Sequence, residues 1–190
     1  LGIMFVGVYY NELKNSVHLI GDTFMEKELN SFSCGLRDGI PICLGYLSVA
    51  FAFGIFTVGH GLTIWEAVMI SMTNVTSAGQ LAAVPIIAGG GSLFELALTQ
   101  FVINMRYSLM SVSLSQRLSK SVRLLDRFLI SFVNTDEVFA VAISKNAPLG
   151  RKYLYGLTLT PYLGWSAGTL LGSAAGNILP ATVVSALGIA

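Results

Sequence analysis

The segment FELALTQFVINMRYSLMSVSLSQRL, residues 94–118, decides the fold class of this chain. It reads as one apolar helix of membrane-spanning length, since about twenty apolar residues cross the hydrocarbon core of a bilayer. Arg106 lies near its middle, with ten uncharged residues on each side. An ionised side chain at that depth is costly unless it finds a partner or water, so it marks a functional site.

The composition of the whole chain supports the same fold class. Apolar residues make up 54% of the chain and charged residues only 11%, with a mean hydropathy of +0.71, whereas a soluble domain carries about 25% charged residues. Residues 40–59, residues 67–94 and everything after Lys152 are uncharged. We therefore predict an all-α, polytopic membrane helix bundle. The net charge of +1, without a basic patch interleaved with aromatics, predicts no nucleic-acid partner.

The uncharged stretches divide the chain into hydrophobic segments. A sixth segment begins after Pro180, and we expect the chain to be truncated at Ala190 with its last helix incomplete. Residues 1–33 are expected to be a poorly defined N-terminal extension, and residues 34–190 the transmembrane domain. The five complete segments are predicted at residues 40–59, 65–87, 94–118, 128–144 and 153–175.

Glycine and proline mark positions where helices break or pack closely. Proline in the first turn of a helix loses no needed hydrogen bond, and small residues let helices approach each other in lipid. In segment five, the spacing of four between Gly164 and Gly168 places a small-residue strip on one face. The predicted breaking or packing positions are Pro41, Gly45, Gly79, Pro161, Gly164 and Gly168.

Segment two carries a polar stripe. Its four polar residues fall at i, i+3, i+4 and i+7, which is one face of a helix. They are Thr73, Thr76, Ser77 and Gln80. Ala78-Gly79 offers a weak point and Pro85 follows, so we expect a broken helix whose freed backbone groups face a cavity. The stripe has two open interpretations, as hydrogen-bonding contacts between helices or as the lining of a pore or pocket.

Segment four is interrupted by residues 134–137, NTDE, and neither half is long enough to span alone. Basic loops flank it at residues 117–127 and 145–152. If every segment spanned once, these loops would lie on opposite sides of the membrane, against the tendency of basic loops to share one side. Re-entrant geometry for segments two and four removes the conflict.

The charges inside the apolar segments have two open interpretations. Asp136 and Glu137 are the natural partners of Arg106, and a purely structural ion pair would neutralise their cost. In the functional interpretation, Arg106 or a helix N-terminus receives a substrate carboxylate, and an acid takes the substrate ammonium or a proton. Adjacent carboxylates rarely both stay ionised in such surroundings, which suits proton coupling. The candidate substrate-binding residues are Ser77, Gln80, Asn104, Arg106, Asp136 and Glu137.

Other motifs do not support an enzyme or a cofactor site. Residues 164–168, GWSAG, match the GxSxG nucleophile pattern, but no histidine base follows His60. Cys34 and Cys43 form no metal-binding or disulfide framework. We expect no enzymatic activity, no metal and no cofactor.

Four short motifs in this order resemble a known family. They are GLRDGIP at 35–41, SAGQ at 77–80, NMRY at 104–107 and TDE at 135–137. Together they resemble the large subunit of AzlC-type (azaleucine resistance, LIV-E) branched-chain amino-acid exporters, from near Gly35 to the end of the chain.

This resemblance implies a function. The family exports leucine, isoleucine, valine and analogues by secondary active transport, as the large subunit of a two-component permease completed by a small AzlD-type membrane subunit. A multi-pass location in the bilayer of the bacterial inner membrane is implied as well. The alternative from the residues alone is a membrane channel or a structural membrane subunit without its own transport site.

Overall fold

A computed structural model describes residues 29–178, and these residues form seven α-helices and no strand. The predicted all-α fold is confirmed. The helices are α1 (Phe32–Gly59), α2 (Ile64–Thr73), α3 (Ser77–Ala88), α4 (Leu93–Ser115), α5 (Leu124–Phe132), α6 (Asp136–Ile143) and α7 (Arg151–Ile178). Most of the predicted extension and the sixth segment lie outside the described residues.

The surface of the bundle is apolar, as expected of a membrane protein. Among the helices of residues 29–178, α1 is both long and apolar enough to cross a bilayer, since its 28 residues include an 18-residue stretch of mean hydropathy 2.0; α2 and α3 are shorter apolar helices. Large apolar side chains that face outward include Leu44, Leu93, Phe94, Phe101 and Leu109. Exposed apolar surface on this scale marks contact with lipid or another protein.

Helices α1 and α7 pack against each other along their whole length and form the core. Near one end, Gly35 lies against the backbone of Tyr153; near the other, Gly54 lies against the backbone of Thr169. The contacts keep the same order along both helices, so the two run parallel. Glycine allows this approach because a side chain would occupy the space that the facing backbone fills.

The predicted packing role of two glycines in α7 is confirmed, and that of one in α1 is wrong. A Cβ at Gly164 would lie 2.7 Å from the carbonyl oxygen of Cys43, and one at Gly168 would lie 2.5 Å from that of Leu47. Gly45, by contrast, is exposed and has no atom within 4 Å of its Cβ position. It lies on the face of α1 that points away from α7.

Neither proline ends a helix. Pro41 was expected in the first turn, but α1 begins at Phe32 and Pro41 lies inside it. The preceding turns are held by packing of Gly35 and Gly39 on α7, and tertiary contacts of this kind override local propensity. Pro161 also lies inside a continuous helix, where it is buried and packs 3.2 Å from the Cβ position of Gly39. Its role is therefore packing.

Segment two is broken, as predicted, but at a different place. The break falls between α2 and α3 at residues 74–76, and Gly79 lies inside α3. Thr73 therefore ends α2, while Ser77 and Gln80 lie in α3 after Thr76 at its N-cap, so the four polar residues of the predicted stripe do not share one helix face. Gly79 provides room for a neighbour, because its Cβ position is 2.7 Å from Gln100 Oε1 on α4.

Segment four breaks where predicted, and its two halves form a re-entrant hairpin. Helix α5 ends at Phe132 and α6 begins at Asp136. The basic loops on either side of the hairpin are hydrogen-bonded to each other: Ser119 N–H donates to the Leu149 carbonyl at 2.9 Å, and Leu149 N–H donates to the Arg117 carbonyl at 2.8 Å. The α5–α6 hairpin thus leaves and returns to one end of the bundle.

The α2–α3 hairpin belongs to the opposite end. Helix α1 begins beside the basic loops, where Lys152 N–H donates to Asn30 Oδ1 at 3.1 Å, and α2 follows from its far end. Helix α3 returns to that far end, where Gly91 contacts Glu95 in the first turn of α4. Two broken hairpins therefore enter the bundle from opposite ends, and their breaks meet beside the middle of α4.

Candidate functional site

A cavity of about 200 Å³ lies where the two helix breaks meet α4. Both breaks supply most of its polar lining, and α4 closes it. Its lining residues are Thr73, Asn74, Val75, Thr76, Asn104, Tyr107, Ser131, Phe132, Asn134 and Thr135. Ligand pockets for drug-sized molecules run from about 300 to 1,000 Å³, so this cavity suits a ligand as small as an amino acid.

Side chains of α4 hold the first break open. Asn74 Nδ2 donates to Gln100 Oε1 at 2.8 Å, and Gln100 Nε2 donates to the Gly79 carbonyl at 2.8 Å. Thr76 Oγ1 donates to Asn104 Oδ1 at 2.8 Å. These bonds replace the helical hydrogen bonds that the break removes, as buried backbone and side-chain polar groups require.

The N-terminus of α3 is available to an anion. Thr76 occupies the N-cap position, yet no side chain caps this helix, because its hydroxyl is turned to Asn104 instead. The first N–H groups of a helix lack intrahelical partners and carry the positive end of its dipole. Thr76 lines the cavity, so the N-terminus of α3 starts at the cavity wall.

Arg106 is paired with an acid of the second break. Its Nη2 lies 2.8 Å from Asp136 Oδ2, and the side chains are 53% and 43% exposed. Arg106 Nη2 also donates to the hydroxyl of Tyr107 at 3.0 Å, and its guanidinium lies 4.9 Å from the centre of that ring. Since Tyr107 lines the cavity, the ion pair borders the site without filling it.

Glu137 and its neighbour Asp136 bind different partners. The hydroxyl of Tyr46, on α1, contacts both Glu137 Oε2 and Thr135 Oγ1, the latter at 2.6 Å. Tyr46 is buried and packs edge-on against the ring of Trp165 at 5.0 Å between centroids. The start of α6 is thereby attached to the α1–α7 core, and the two adjacent acids are held separately.

Asn134 lines the cavity and has a buried acceptor without a partner in the described chain. Its side chain is 2% exposed, and its Oδ1 has no hydrogen-bond partner within residues 29–178, while its Nδ2 donates to Ser111 Oγ at 3.4 Å. A buried acceptor without a partner costs about 1–3 kcal/mol. The Asn134 side chain thus lies at the cavity wall near the uncapped α3 N-terminus, with its Oδ1 buried below the cavity surface.

The structure brings together some of the predicted binding residues and not others. Asn104 lines the cavity, and Arg106 and Asp136 border it. Glu137 is one residue beyond, bound to Tyr46. Ser77 is exposed at the outer side of the α3 start. Within the described chain, no three His, Cys, Asp or Glu side chains form a group that could hold a metal.

Gln80 is the most unusual of the predicted residues. Its side chain is completely buried, and neither amide atom has a hydrogen-bond partner within residues 29–178. It lies in the first turn of α3, close behind the cavity wall that Thr76 forms. An unpartnered buried amide is a cost to folding, and such costs accumulate at functional sites.

We predict that Gln80→Met raises the stability of the fold. Methionine has a similar unbranched shape and removes an unpartnered amide whose burial costs about 1–3 kcal/mol. The midpoint of thermal unfolding in detergent should therefore rise. A lower midpoint would show that the amide has a partner and is structural.

Several site residues could not be singled out from the sequence. Tyr46 and Gln100 lie in apolar helices with no local feature that distinguishes them, whereas Tyr107 belongs to the NMRY motif. Gln100 precedes Asn104 by four residues, a spacing that places both on the same face of α4, and this spacing is the one signal in the sequence. Tyr46 is bonded to Thr135, which is 89 residues away in the chain, so no local pattern links the two.

Comparison with known proteins identifies the family. The inner membrane protein YgaZ of Escherichia coli is 33% identical over 159 residues, covering 82% of this chain and 62% of that protein. An uncharacterized membrane protein of Archaeoglobus fulgidus is 34% identical over 158 residues, covering 82% and 68%. The branched-chain amino acid transport protein AzlC of Bacillus subtilis is 22% identical over 176 residues, covering 88% and 68%.

The chain therefore spans a little under two thirds of the length of the Escherichia coli relative and about two thirds of the others. No solved structure matches it. The family model described as AzlC protein matches residues 41–179, a range that contains both helix breaks, all of α4 and the cavity. The chain belongs to the AzlC family.

Proposed function

We propose that this chain is a secondary active transporter of branched-chain amino acids, and not an enzyme. The relative from Bacillus subtilis is named for branched-chain amino acid transport, and the cavity between the two helix breaks is the observation that carries the proposal. Substrate sites in secondary transporters are typically formed by discontinuous helices near mid-depth, at the interface of oppositely oriented repeats.

The chemistry of the cavity suits a zwitterion with a small apolar side chain. A carboxylate would find the uncapped N-terminus of α3, with Arg106 at the border. An ammonium group would bind the unpartnered Oδ1 of Asn134 once that buried side chain turns toward the cavity. Val75 and Phe132 offer apolar surface to an aliphatic side chain.

The two hairpins offer a route to alternating access. The first break is bonded to α4 through Asn74 and Thr76, and the second is bonded to α4 through Asp136 and Arg106. Each break belongs to a hairpin from a different end of the bundle. Separating α4 from one hairpin at a time would open the cavity to one end at a time, as alternating access requires.

The remaining parts of the proposal rest on the family resemblance. We propose that transport is export, that the protein lies in the bacterial inner membrane as a multi-pass protein, and that a small AzlD-type subunit completes it. The outward apolar face of α4, which includes Phe101 and Leu109, offers a surface for lipid or such a subunit. The second candidate is a channel or structural subunit, in which the pair of Arg106 and Asp136 only holds helices together.

Counterflow in inverted membrane vesicles tests the function. Vesicles containing the chain, with and without a small AzlD-type subunit, are loaded with unlabelled leucine and given labelled leucine outside. A carrier accumulates label transiently, while a channel only equilibrates it. The proposal would be supported if label accumulates in vesicles loaded with leucine, isoleucine or valine and not in vesicles loaded with lysine. Label uptake equal to that of vesicles without the chain, in both conditions, would refute it.

Proton coupling is predicted to depend on Glu137. Asp136 has a cationic partner, so protonating it would leave Arg106 unpaired, whereas Glu137 is bound by the neutral Tyr46 hydroxyl. We expect Glu137→Gln to keep leucine counterflow and to lose acceleration by an imposed pH gradient. Asp136→Asn should reduce both. If each variant retained gradient-driven efflux, the coupling proposal would fail.

A further inference from the structure

One end of the bundle concentrates positive charge around a cavity. The α4–α5 and α6–α7 loops, joined by the backbone bonds of Leu149, form its rim together with the start of α1. The cavity has a volume of about 360 Å³. We call it the basic cavity; its lining residues are Asn30, Lys120, Ser121, Arg123, Arg151 and Lys152.

Side-chain cations, rather than backbone groups, are the binding elements of this cavity. The N–H of Arg151 donates to Ser121 Oγ at 3.3 Å and that of Lys152 to Asn30 Oδ1 at 3.1 Å, so the first turn of α7 is already satisfied. The N–H of Arg123 likewise donates to Asp126 Oδ2 at 2.9 Å.

The carboxylate of Asp126 lies beside the basic cavity and offsets only part of its charge. Asp126 is 4.0 Å from Arg151 Nη1, and its other oxygen accepts from the Tyr155 hydroxyl at 2.7 Å. Four cationic side chains line the cavity. Within residues 29–178, no carboxylate is part of this lining, so the cavity is strongly positive.

An apolar groove continues from the basic cavity along the outside of the bundle. It has a volume of about 590 Å³ and shares Arg151 and Lys152 with the basic cavity. Its apolar walls come from α1, α5 and α7, and Leu129 and Leu159 on these walls are 62% and 41% exposed. A cationic cavity that opens into an apolar groove is complementary to a molecule with an anionic head and an aliphatic chain.

We propose that this end of the bundle binds one anionic glycerophospholipid. Its phosphate lies in the basic cavity and an acyl chain lies in the apolar groove. Basic pockets on one side of a membrane protein are a recognised basis for binding anionic headgroups. Clustered Lys and Arg also favour the cytoplasmic side, so the lipid belongs to the cytoplasmic leaflet. This site is separate from the transport cavity and does not depend on the substrate.

Native mass spectrometry of the full chain in detergent tests the site. The micelles contain equal amounts of phosphatidylglycerol and phosphatidylcholine, and the retained lipids are titrated. The test variant is Lys120→Gln with Arg123→Gln, both exposed side chains of the basic cavity. The matched control is Arg117→Gln with Arg127→Gln, which removes two exposed charges from the same end but lines neither the basic cavity nor the apolar groove.

We expect phosphatidylglycerol to be retained in preference to phosphatidylcholine. A basic residue near a membrane surface contributes roughly a fivefold change in binding, so the test variant should bind phosphatidylglycerol about thirtyfold more weakly. The control should differ little from the unmodified chain. Circular dichroism on both variants establishes that each retains its helical content.

A second arm separates a lipid from a free anion. Leu159→Trp fills the apolar groove, and it should weaken phosphatidylglycerol binding while leaving competition by inorganic phosphate unchanged. Equal retention of the two lipids, or an equal loss in the test and control variants, would overturn the proposal. Leu159→Trp without any effect on lipid binding would overturn it too, because the cavity would then hold an anion without its acyl chain.

Discussion

Replacement of Arg106 by Lys is expected to leave the bundle folded and to lower leucine transport by at least about tenfold. Lysine keeps the positive charge, so it can still pair with Asp136 across the 2.8 Å contact. It loses the planar guanidinium, which lies beside Tyr107 and can bind a carboxylate through two parallel hydrogen bonds. A hydrogen bond to a charged group contributes about 1.5–3 kcal/mol, which is tenfold or more in rate.

This substitution separates the two interpretations of the ion pair. If Arg106 and Asp136 only hold α4 against α6, a lysine preserves the point charge and transport should be nearly unchanged. If Arg106 receives the substrate, counterflow should fall while thermal stability is kept. Arg117→Lys, at the end of the segment that contains α4 and exposed to solvent, provides the control for the same chemical change away from the site.

The charge-neutral variant adds a stability readout. Arg106→Gln leaves Asp136 without a cation beside the second helix break, so both transport and the thermal midpoint in detergent should fall. Suppose that Arg106→Lys leaves transport unaltered and that Arg106→Gln lowers only the stability. These two results would support the structural-subunit candidate and refute the proposal that the chain is a carrier.

The ion pair and the return of segment four were predictable, because a charged residue in an apolar segment needs a partner of opposite charge or access to water. An arginine between two uncharged runs needs an acid, and Asp136 and Glu137 were the acids in similarly apolar surroundings. The structure pairs Arg106 with the first of them. Likewise, two basic loops flank segment four, whose halves are each too short to span. The segment is therefore expected to return to the end at which it entered, and the two loops are hydrogen-bonded to each other.

The position of the first break could not be read from the sequence, because a remote residue determines it. The positions of glycine and proline indicate a break at Gly79 or Pro85, yet both residues lie inside α3. The chain opens at residues 74–76 instead, where Gln100 and Asn104 of α4 supply partners. Glycine and proline lower the local cost of interrupting a helix. The hydrogen-bond partners that offset the rest of this cost come from other helices, which only the tertiary structure shows.

The separation of the two acids was also beyond the sequence. Adjacent residues at the start of a helix point in different directions, but which neighbour each one meets depends on α1 and α4. Tyr46 takes Glu137, and Arg106 takes Asp136. Both acids are natural partners of Arg106 by sequence, but in the structure Asp136 pairs with it and Glu137 is bound to Tyr46 of the α1–α7 core.

The other large effect is expected from the contact between α1 and α7. We predict that Gly172→Ala severely destabilises the protein, because a Cβ at Gly172 would overlap the carbonyl oxygen of Phe51. The overlapping atom belongs to helix backbone, which cannot move aside as a flexible side chain can. Overpacking a well-packed core costs typically about 1–3 kcal/mol, and here the same backbone approach repeats at every turn of both helices.

Gly45→Ala is the matched control for this effect. Gly45 lies inside α1 as Gly172 lies inside α7, but nothing approaches its Cβ position within 4 Å. Alanine there should stabilise the helix by about 0.8–1.0 kcal/mol, the difference in helix propensity between the two residues. The thermal midpoint in detergent should thus fall for Gly172→Ala and hold or rise for Gly45→Ala. Equal changes in both variants would mean that α1 and α7 are not in backbone contact, and the parallel helix pair at the centre of this fold would be wrong.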